Sequence, residues 1–376
     1  MTALVNGWLL PVIYGIAFAL ALLPWRRQWL PARGAALLGL LTSVAAVVAA
    51  VALAQFQPVS IDKPGLVVAL LVALLGWVII NYSRRYLQGE PNQALFVRAM
   101  LFTLACVSLL VVSRHLLVIV LAWTGTSIGL HYLLTFYPDR KAAQIVAHKK
   151  FIASRLADTC LLAALVLIYQ ATGTLTLDGI AAFVKGLDSL PAGLHWATAL
   201  FALAAILKSA QLPLHGWLIQ VMEAPTPVSA LLHAGVVNIG GFVLIRLADL
   251  VTLAPVAQAM LVIAGGLTAV LAGLVMMTRI SIKVRLAWST CTQMGFMLME
   301  VGLGLYELAL LHLVAHSFYK AYAFLAAGET VAEARSRDFF NKPQSHPPVV
   351  WYLASFFLSG AVIASSLLVW QLLLPA

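Results

Sequence analysis

The sequence predicts an all-α, polytopic membrane protein with about twelve transmembrane helices. Hydrophobic residues make up 62% of the 376 residues and charged residues only 10%, whereas about a quarter of the residues in an ordinary soluble domain are charged. The apolar residues also cluster in runs of about 17 to 25 residues, the length that an α-helix needs to cross the hydrocarbon of a bilayer. Composition and run length together exclude a soluble globular domain.

The predicted spans follow one another with short connections. Their approximate ranges are 7 to 24, 35 to 56, 65 to 82, 95 to 112, 116 to 137, 151 to 171, 193 to 222, 226 to 248, 254 to 278, 284 to 304, 307 to 330 and 348 to 373. The seventh span is discontinuous, because Pro213 interrupts it. The longest connections, around 172–192 and 331–347, are too short for a soluble module. We therefore expect a single integral membrane domain over residues 1–376.

Lysine and arginine residues are divided unequally between alternate connections. Sixteen of the 23 fall on one side of the predicted membrane, and the other side has only four, Lys63, Arg114, Lys185 and Arg246. Positively charged connections stay in the cytoplasm, so we expect both termini to lie outside it. This orientation accounts for the net charge of +10. With no basic domain to carry it, nucleic-acid binding is not expected.

Two short segments predict an internal repeat. The sequence AWTGT at 122–126 in the fifth span weakly resembles AWSTC at 287–291 in the tenth. The segments are five helices apart, and a repeat with an odd number of helices is inverted in the membrane, as in many transporters. We expect helices 1–3 over residues 1–92, a first repeat of helices 4–8 over 93–250, and a truncated second repeat of helices 9–12 over 251–376.

The segment 207–246 places ionisable residues in an otherwise apolar stretch. Lys208 lies within the seventh span, five residues before Pro213. A charged group in hydrocarbon costs about 2.5 to 3.5 kcal/mol on insertion scales, and broken helices in transporters surround ion sites. We therefore predict an ion pathway at Lys208. The alternative is that Lys208 extends to the membrane interface or holds the helix break together.

Three further residues of this segment are candidates for the pathway. His233 lies in the eighth span, and a histidine titrates close enough to neutral pH to pass a proton on. His215 and Glu223 flank the helix break. Each also has a structural interpretation, since a single histidine on an apolar face is commonly a hydrogen-bonded core residue. Glu223 would equally suit a role in holding the broken helix or a subunit interface.

The eleventh span carries a second cluster, His312, His316 and Lys320, spaced by four residues. Steps of four keep the three side chains on one helix face, with a drift of about 40° per step. A polar stripe in a membrane helix faces the bundle interior or water rather than lipid, so we predict that it belongs to the pathway. Interhelical hydrogen bonding is the alternative. His312 and His316 could share a metal ion, but the sequence offers no evident third ligand.

The sixth span contains Arg155 and Asp158, three residues apart and able to pair along the helix. Asp158 is the nearest approach to an intramembrane carboxylate in the first half of the chain, so we predict that it is the counter-ion of Lys208. Its alternative role is to neutralise Arg155. Three glutamates near predicted helix ends need no functional interpretation, namely Glu300, Glu307 and Glu329.

Nothing in the sequence predicts a cofactor in this chain. It has no glycine-rich phosphate loop and no dinucleotide-binding fingerprint. The three cysteines, Cys106, Cys160 and Cys291, fall inside apolar runs without metal-binding spacing. Any catalytic module is therefore expected in another subunit, and this chain is expected to transport rather than to catalyse.

Three motifs carry a resemblance to a known family: KSAQLPLHGW at 208–217, MEAPTPVSALLHA at 222–234 and HLVAHSFYKAYAFLAAG at 312–328. They resemble the antiporter-like proton-channel subunits of respiratory complex I and of multisubunit sodium/proton antiporters, from the fourth to the eleventh span. The resemblance implies inverted five-helix units with discontinuous helices and a hydrated path near mid-membrane. It matches the family's broken-helix lysine to Lys208, its helix-eight histidine to His233, and its helix-eleven cluster to the stripe at 312–320.

The sequence departs from the family pattern in three places. Thr124 follows Trp123 where the family has a glutamate that partners the lysine. The twelfth span has no charged residue where the family has an exit lysine. The sequence ends at Ala376, without the further helices and the long lateral helix of complex I. A complete pump of the complex I kind is therefore not expected.

A shortened relative without the glutamate resembles the membrane subunits of the bacterial DAB inorganic-carbon accumulation complexes. In those complexes the membrane subunit pairs with a large soluble subunit that resembles a zinc carbonic anhydrase. The resemblance implies a multi-pass protein of the bacterial inner membrane that conducts protons, or sodium ions, down their gradient. It also implies a partner on the cytoplasmic side that holds zinc and hydrates carbon dioxide to bicarbonate.

Two other functions remain open from the sequence. The first is a subunit of a complex I-like oxidoreductase or of a multisubunit cation/proton antiporter. The second is a membrane anchor whose polar residues only hold helices together.

Overall fold

The computed structural model describes residues 7–23, 28–54, 62–221 and 224–340, together with 350, 353–355, 357 and 360. Throughout these residues the chain forms helices and no strand, which confirms the predicted all-α class. The predicted twelfth span lies almost entirely outside the described residues. Glu223, one of the candidate pathway residues, also lies outside them.

The helices, numbered in chain order, are α1 (Leu9–Leu22), α2 (Trp29–Ala54), α3 (Lys63–Tyr86), α4 (Gln93–Val112), α5 (Leu116–Leu134), α6 (Lys141–Thr172), α7 (Leu177–Val184), α8 (Ala192–Lys208), α9 (Gly216–Gln220), α10 (Thr226–Ala234), α11 (Ile239–Arg246), α12 (Ala248–Thr252), α13 (Pro255–Met277), α14 (Ile282–Gly302) and α15 (Tyr306–Phe340). Eight segments of the described chain are long and apolar enough to cross a membrane. α1 and α8 are shorter apolar helices. The polytopic membrane architecture is thus confirmed, whereas the count of twelve and the inverted repeats stay predictions.

The predicted break in the seventh span is present. α8 ends at Lys208, and the chain resumes as α9 only at Gly216. Pro213 within this break has no N–H to donate and cannot continue a helix. The backbone N–H of Leu212 is instead satisfied by Thr268 Oγ1 of α13, at 3.1 Å. The break is therefore held by the neighbouring helix as well as by its own sequence.

A second break divides the eighth span, and the sequence analysis did not predict it. α10 ends at Ala234, a 3₁₀ turn covers Val236–Asn238, and α11 begins at Ile239. Gly235 between them has φ of −124° and ψ of −67°, outside the helical range. The two breaks lie together, since Ser209 Oγ donates to the carbonyl of Val237 over 3.3 Å. Two interrupted helices therefore meet in the interior of the bundle.

The sixth span begins earlier than predicted. α6 starts at Lys141 rather than near residue 151, because the helix continues beyond the apolar run into a polar segment. Lys149 and Lys150, which the sequence analysis assigned to a connection, are therefore helical. We call the end of the bundle at which α5 stops and α6 starts the basic end, since the connection 135–140 there carries Arg140 beside Lys141.

The opposite end of the bundle is fastened by Arg246 at the close of α11. This side chain is only 3% exposed and pairs with Asp62, which also caps the start of α3. It donates to the carbonyls of Val111 at 3.2 Å and Ser113 at 2.6 Å, at the end of α4. The sequence analysis assigned Arg246 to a connection, but the structure uses it to join three helix ends.

A pair of glycines lets α13 and α14 pack closely against each other. A Cβ atom added at Gly265 of α13 would lie 2.5 Å from the carbonyl oxygen of Gly295 of α14, and one added at Gly295 would lie 2.6 Å from the carbonyl of Gly265. Small residues at a membrane helix interface let the backbones approach and pack. This contact fixes α14 and, through it, the residues that α14 presents to the interior.

Candidate ion pathway

Lys208 forms a buried ion pair at the end of α8. Its Nζ lies 2.6 Å from Asp158 Oδ1 of α6, and the two side chains are 6% and 9% exposed. The same ammonium lies 4.7 Å from the centroid of the Trp123 ring of α5. The contact that the sequence predicted between Lys208 and Asp158 is therefore present. The helix break leaves the lysine at a free helix end, where its side chain can turn toward α6.

Asp158 is shared between two cations. Arg155 Nη2 lies 2.8 Å from Asp158 Oδ2, although its angle does not make a hydrogen bond. Arg155 is one third exposed and reaches Asp158 from the same helix face. Both roles proposed for Asp158, counter-ion of Lys208 and partner of Arg155, are thus seen together. A single carboxylate that faces two cations leaves an excess positive charge, which favours a site that gives up a proton.

The residue after Trp123 is not part of this ion pair. Thr124 is half-buried and lies on the neighbouring side of α5. The carboxylate that pairs with Lys208 comes from α6, and Trp123 of α5 contacts the same ammonium.

A small cavity adjoins the ion pair on the side of the basic end. Its lining includes Trp123, Lys208, Ser127 of α5 and Lys150 of α6, and the volume open to the centre of a water molecule is about 20 Å³. About 10 to 15 Å³ of such volume is needed for one water. The site therefore has room for a water molecule next to the ammonium of Lys208.

His233 is completely buried in α10. Its Nδ1 lies 3.1 Å from Thr290 Oγ1 of α14. Its ring stacks on Phe324 of α15, with the centroids 4.3 Å apart and the planes 16° from parallel. Its Nε2 has no hydrogen-bond partner in the described part of the chain. His233 is thus partly a hydrogen-bonded core residue, as the structural interpretation expected, and partly an unused proton acceptor.

The stripe of α15 lies in the interior, as expected of a polar stripe in a membrane helix. Lys320 is fully buried and donates to the carbonyl of Leu286 of α14 over 2.9 Å. His316 is 4% exposed, and neither ring nitrogen has a partner among the described residues. The ring of His312 lies 6.2 Å from that of His316. This sequence of titratable groups follows the axis of α15.

The stripe extends to an acid that the sequence analysis set aside. Glu300 of α14 is 3% exposed, and its Oε2 lies 2.9 Å from Nδ1 of His312. The interpretation of Glu300 as an ordinary residue at a helix end was wrong, because its side chain turns inward between α14 and α15. The sequence spacing of Glu300 and His312 does not predict this contact, because the two residues lie on different helices and meet across the connection between α14 and α15.

The second helix break connects the two clusters. Asn238 Nδ2 donates to the carbonyl of Ala234, at 3.0 Å, and to Ser317 Oγ of α15, at 2.8 Å. Ser209, next to Lys208, contacts the same turn. Among the described residues no hydrogen bond joins Lys208 directly to His233, so transfer between them requires a water molecule or a side-chain movement.

His215 is not brought to this site. It is half-buried, and its ring packs against Trp288 of α14 with the centroids 5.0 Å apart. Its Nδ1 lies 3.3 Å from the carbonyl of Pro213. The residue stands at the outer side of the break, so its part in the pathway stays a prediction.

The described residues contain no group of three or more histidine, cysteine or acidic side chains that could hold a metal ion. His312 and His316 are accompanied by Glu300, which contacts His312 alone. A proton relay fits these groups better than an ion cage does, because hard cations in proteins take several oxygen ligands at once.

Comparison with known proteins bears on this arrangement. The model of the NADH:quinone oxidoreductase/Mrp antiporter transmembrane family matches residues 113–360. The chain belongs to this family. The match includes both helix breaks, Lys208, His233 and the stripe of α15, so the residues of the candidate pathway lie within the family's shared part.

Members of this antiporter family occur in several complexes. The chain is 48% identical over 315 residues to a probable inorganic carbon transporter subunit DabB of Hydrogenovibrio crunogenus, covering 84% of this chain and 60% of that protein. It is 34% identical over 308 residues to NADH-quinone oxidoreductase subunit L of Pseudomonas aeruginosa, covering 80% and 50%. The chain thus spans between half and 60% of the length of these relatives.

A solved structure supports the same fold. A chain of the Mrp complex from Dietzia superposes with a TM-score of 0.75 at 27% sequence identity, over 87% of this chain and 38% of that one. The resemblance stated from the three motifs is thereby confirmed for the family.

The ion pair gives a direct test. We expect Asp158→Asn to reduce transport by the intact complex at least tenfold, because the amide leaves the buried ammonium of Lys208 without a counter-charge. Asp178→Asn, at an acid that is 63% exposed, is the matched control and is expected to transport normally. Uptake of labelled inorganic carbon by cells that express the complex measures both. Full activity of Asp158→Asn would show that Asp158 is not the working partner of Lys208.

Proposed function

We propose that this chain is the ion-conducting membrane subunit of a bacterial inorganic-carbon transporter. It conducts protons down their gradient and so drives the accumulation of bicarbonate with a carbonic-anhydrase-like partner. The observation that carries the proposal is the succession of buried titratable groups, from Lys208 and Asp158 to the stripe of α15, in a chain 48% identical to a probable DabB subunit. Ionisable groups inside a membrane bundle mark ion paths and proton relays.

The proton is favoured over sodium by the chemistry of the lining. The buried titratable groups of the pathway are lysines and histidines, apart from Asp158 and Glu300. Both acids are already engaged, Asp158 by two cations and Glu300 by His312. A sodium ion would meet positive charge and few free oxygens, whereas a proton can be held and released by amines and imidazoles.

The path has two stages. In the first, the proton passes from His312 along the stripe of α15 to the unpaired imidazole of His316 and the amine of Lys320. In the second, it passes by way of His233 to Lys208, where Asp158 stabilises the ammonium and the adjoining cavity admits water. Each of these groups can gain or lose one proton, so a proton can move along the path while the side chains stay in place.

The orientation of the path follows from the distribution of basic residues. We propose that the basic end lies in the cytoplasm, because most lysine and arginine residues of the predicted connections fall on that side, and that both termini lie outside. We propose that the partner, a large soluble subunit that holds zinc, docks at this end. The remainder of the surface faces lipid of the inner membrane, which suits the exposed apolar side chains of the spans.

A second function has an observation in its favour. The identity of 34% to NADH-quinone oxidoreductase subunit L and the fold of the Mrp complex chain suit a subunit of an oxidoreductase or of a cation antiporter. The higher identity to a DabB subunit favours the carbon transporter. Neighbouring genes distinguish the two, since a gene for a carbonic-anhydrase-like protein supports the first and genes for quinone or NADH modules support the second.

We expect Lys208→Ala or His316→Ala to leave the complex assembled and to abolish carbon uptake, because each removes a titratable group from the interior. Lys185→Ala, at an exposed lysine on the opposite end of the bundle, is the control and should not affect uptake. Assembly is checked by gel filtration of the purified complex. Uptake at the wild-type rate by an assembled Lys208→Ala complex would contradict the proposed function and favour a membrane anchor.

The partner is tested separately. Purification of this chain from its native host, in mild detergent, is expected to bring with it one large soluble protein that contains zinc in near-equal molar amount, as measured by elemental analysis. If quinone-binding or NADH-binding subunits come with the chain instead, the alternative function is correct.

A further inference from the structure

We infer that Lys150 is a proton-carrying residue of the pathway and that the pathway opens to the basic end between α5 and α6. The inference rests on the proposed function and adds to it the route between the basic end and Lys208. Lys150 lies nine residues into α6, roughly 13 Å along the helix at about 1.5 Å per residue. Its side chain is 4% exposed.

The surroundings of Lys150 do not neutralise it. Its Nζ donates to Ser127 of α5, to the carbonyl at 3.0 Å and to Oγ at 2.9 Å. No carboxylate in the described residues lies within ion-pairing distance of it. A buried ammonium without a counter-ion is costly, so a fixed charge there would destabilise the bundle. A lysine that can give up its proton fits this site, because the neutral amine is tolerated in the interior whereas the ammonium is costly there.

Polar residues form a seam between the two helices. On α6, Lys150, Ser154 and Asp158 are spaced by four residues and share one face. On α5, Trp123, Ser127 and His131 have the same spacing. The helices pack against each other. The seam therefore runs from the ion pair of Lys208 toward the basic end.

Two histidines stand at the outer end of the seam. The ring of His131 lies 5.6 Å from that of His148 of α6. Nδ1 of His131 is buried without a hydrogen-bond partner in the part of the chain that the structure describes. His148 is exposed. These imidazoles give the basic end a group that can take a proton from the seam and release it to water.

The inner end of the seam is the cavity already described. Lys150 and Lys208 both line it, with Ser127, Ser154 and Trp123. One water molecule there would complete the step. An N–H bond of the Lys208 ammonium breaks as its proton moves to the water, and another proton of that water forms an N–H bond with the neutral amine of Lys150. Lys150 then releases a proton toward the basic end, so that charge is conserved.

A structural role is the competing explanation, in which the lysine only ties α6 to the carbonyl of Ser127. Two variants separate the roles. Lys150→Arg keeps a permanent charge and hydrogen-bond donors, but an arginine does not release a proton. Lys150→Gln keeps a donor for Ser127 without any charge. If Lys150 only holds the two helices together, at least one of these variants should keep its activity. If Lys150 carries a proton, both variants should lose activity.

We expect both variants to assemble and to lower carbon uptake at least tenfold in cells that express the whole complex. Lys149→Gln is the matched control, because that neighbouring lysine is exposed and bonds only to Gln220; its uptake should be unchanged. Wild-type uptake by either Lys150 variant would overturn the inference. Should one variant fail to assemble, the other alone decides. If Lys208→Ala is inactive while Lys150→Arg or Lys150→Gln is active, only this inference fails and the proposed function stands.

A different observation leads us to propose the other end of the route. Glu300 and His312 form a buried pair at the ends of α14 and α15 that face away from the basic end, with Oε2 and Nδ1 2.9 Å apart. The residues one turn beyond, 303–305, are exposed. Nε2 of His312 is buried and has no partner in the described chain. We propose that the proton enters by this pair, through the turn that joins the two helices.

This entrance suits the chemistry of the stripe. His316 lies between Lys320 and His312 on α15, so a proton that enters at His312 moves along that face. A carboxylate hydrogen-bonded to an imidazole can take a proton from water and pass it on.

Glu300→Gln tests the entrance, because glutamine keeps the shape and can still accept a hydrogen bond from His312 while it cannot carry the proton. We expect an assembled complex with uptake reduced at least tenfold, and partial recovery in Glu300→Asp. Glu307→Gln, at an exposed acid near the same turn, is the control and should be active. Wild-type uptake by Glu300→Gln would remove the entrance from this turn, without bearing on Lys208 or Lys150.

Discussion

The ion pair of Lys208 and Asp158 is the interaction on which the rest of this structure depends. An ammonium in the interior of a membrane bundle is tolerated only with a counter-charge and a break in the surrounding apolar packing. Both are present: α8 stops at the lysine, and α6 presents the carboxylate 2.6 Å away. Trp123 covers the ammonium from α5. Three helices are thus fixed relative to one another by one charge that the membrane would otherwise exclude.

The second broken helix extends this arrangement across the bundle. Ser209 contacts the turn at Val237, and Asn238 of that turn contacts Ser317 of α15. A proton gained or lost at Lys208 therefore changes the charge beside the turn that connects this lysine with the stripe of His316 and Lys320. Asp158 of α6 supplies the counter-charge to Lys208, and the proposed route to the basic end runs along α5 and α6.

Much of this could be predicted from the sequence, and the exceptions have physical causes. Apolar run length predicted most of the helices, and Pro213 predicted the first break. Gly235 did not predict the second break, because a glycine is tolerated within a helix. It interrupts the helix only where neighbouring packing stabilises a non-helical conformation. Lys150 was missed because α6 begins ten residues before its apolar run, which hydropathy does not detect. Glu300 was missed because its partner, His312, lies on the next helix, beyond the connection between α14 and α15. Asp158 was found because the lysine required a carboxylate and the chain offered few.

The central claim is that protons cross the membrane through Lys208. Its most direct test is proton flux into liposomes that contain the purified complex, followed with a pH-sensitive dye inside the vesicles after a potassium diffusion potential is applied. The account predicts acidification with the wild-type complex, at a rate that sodium does not change, and no acidification above that of empty liposomes with Lys208→Ala. Equal proton flux through the wild-type and Lys208→Ala complexes would contradict it.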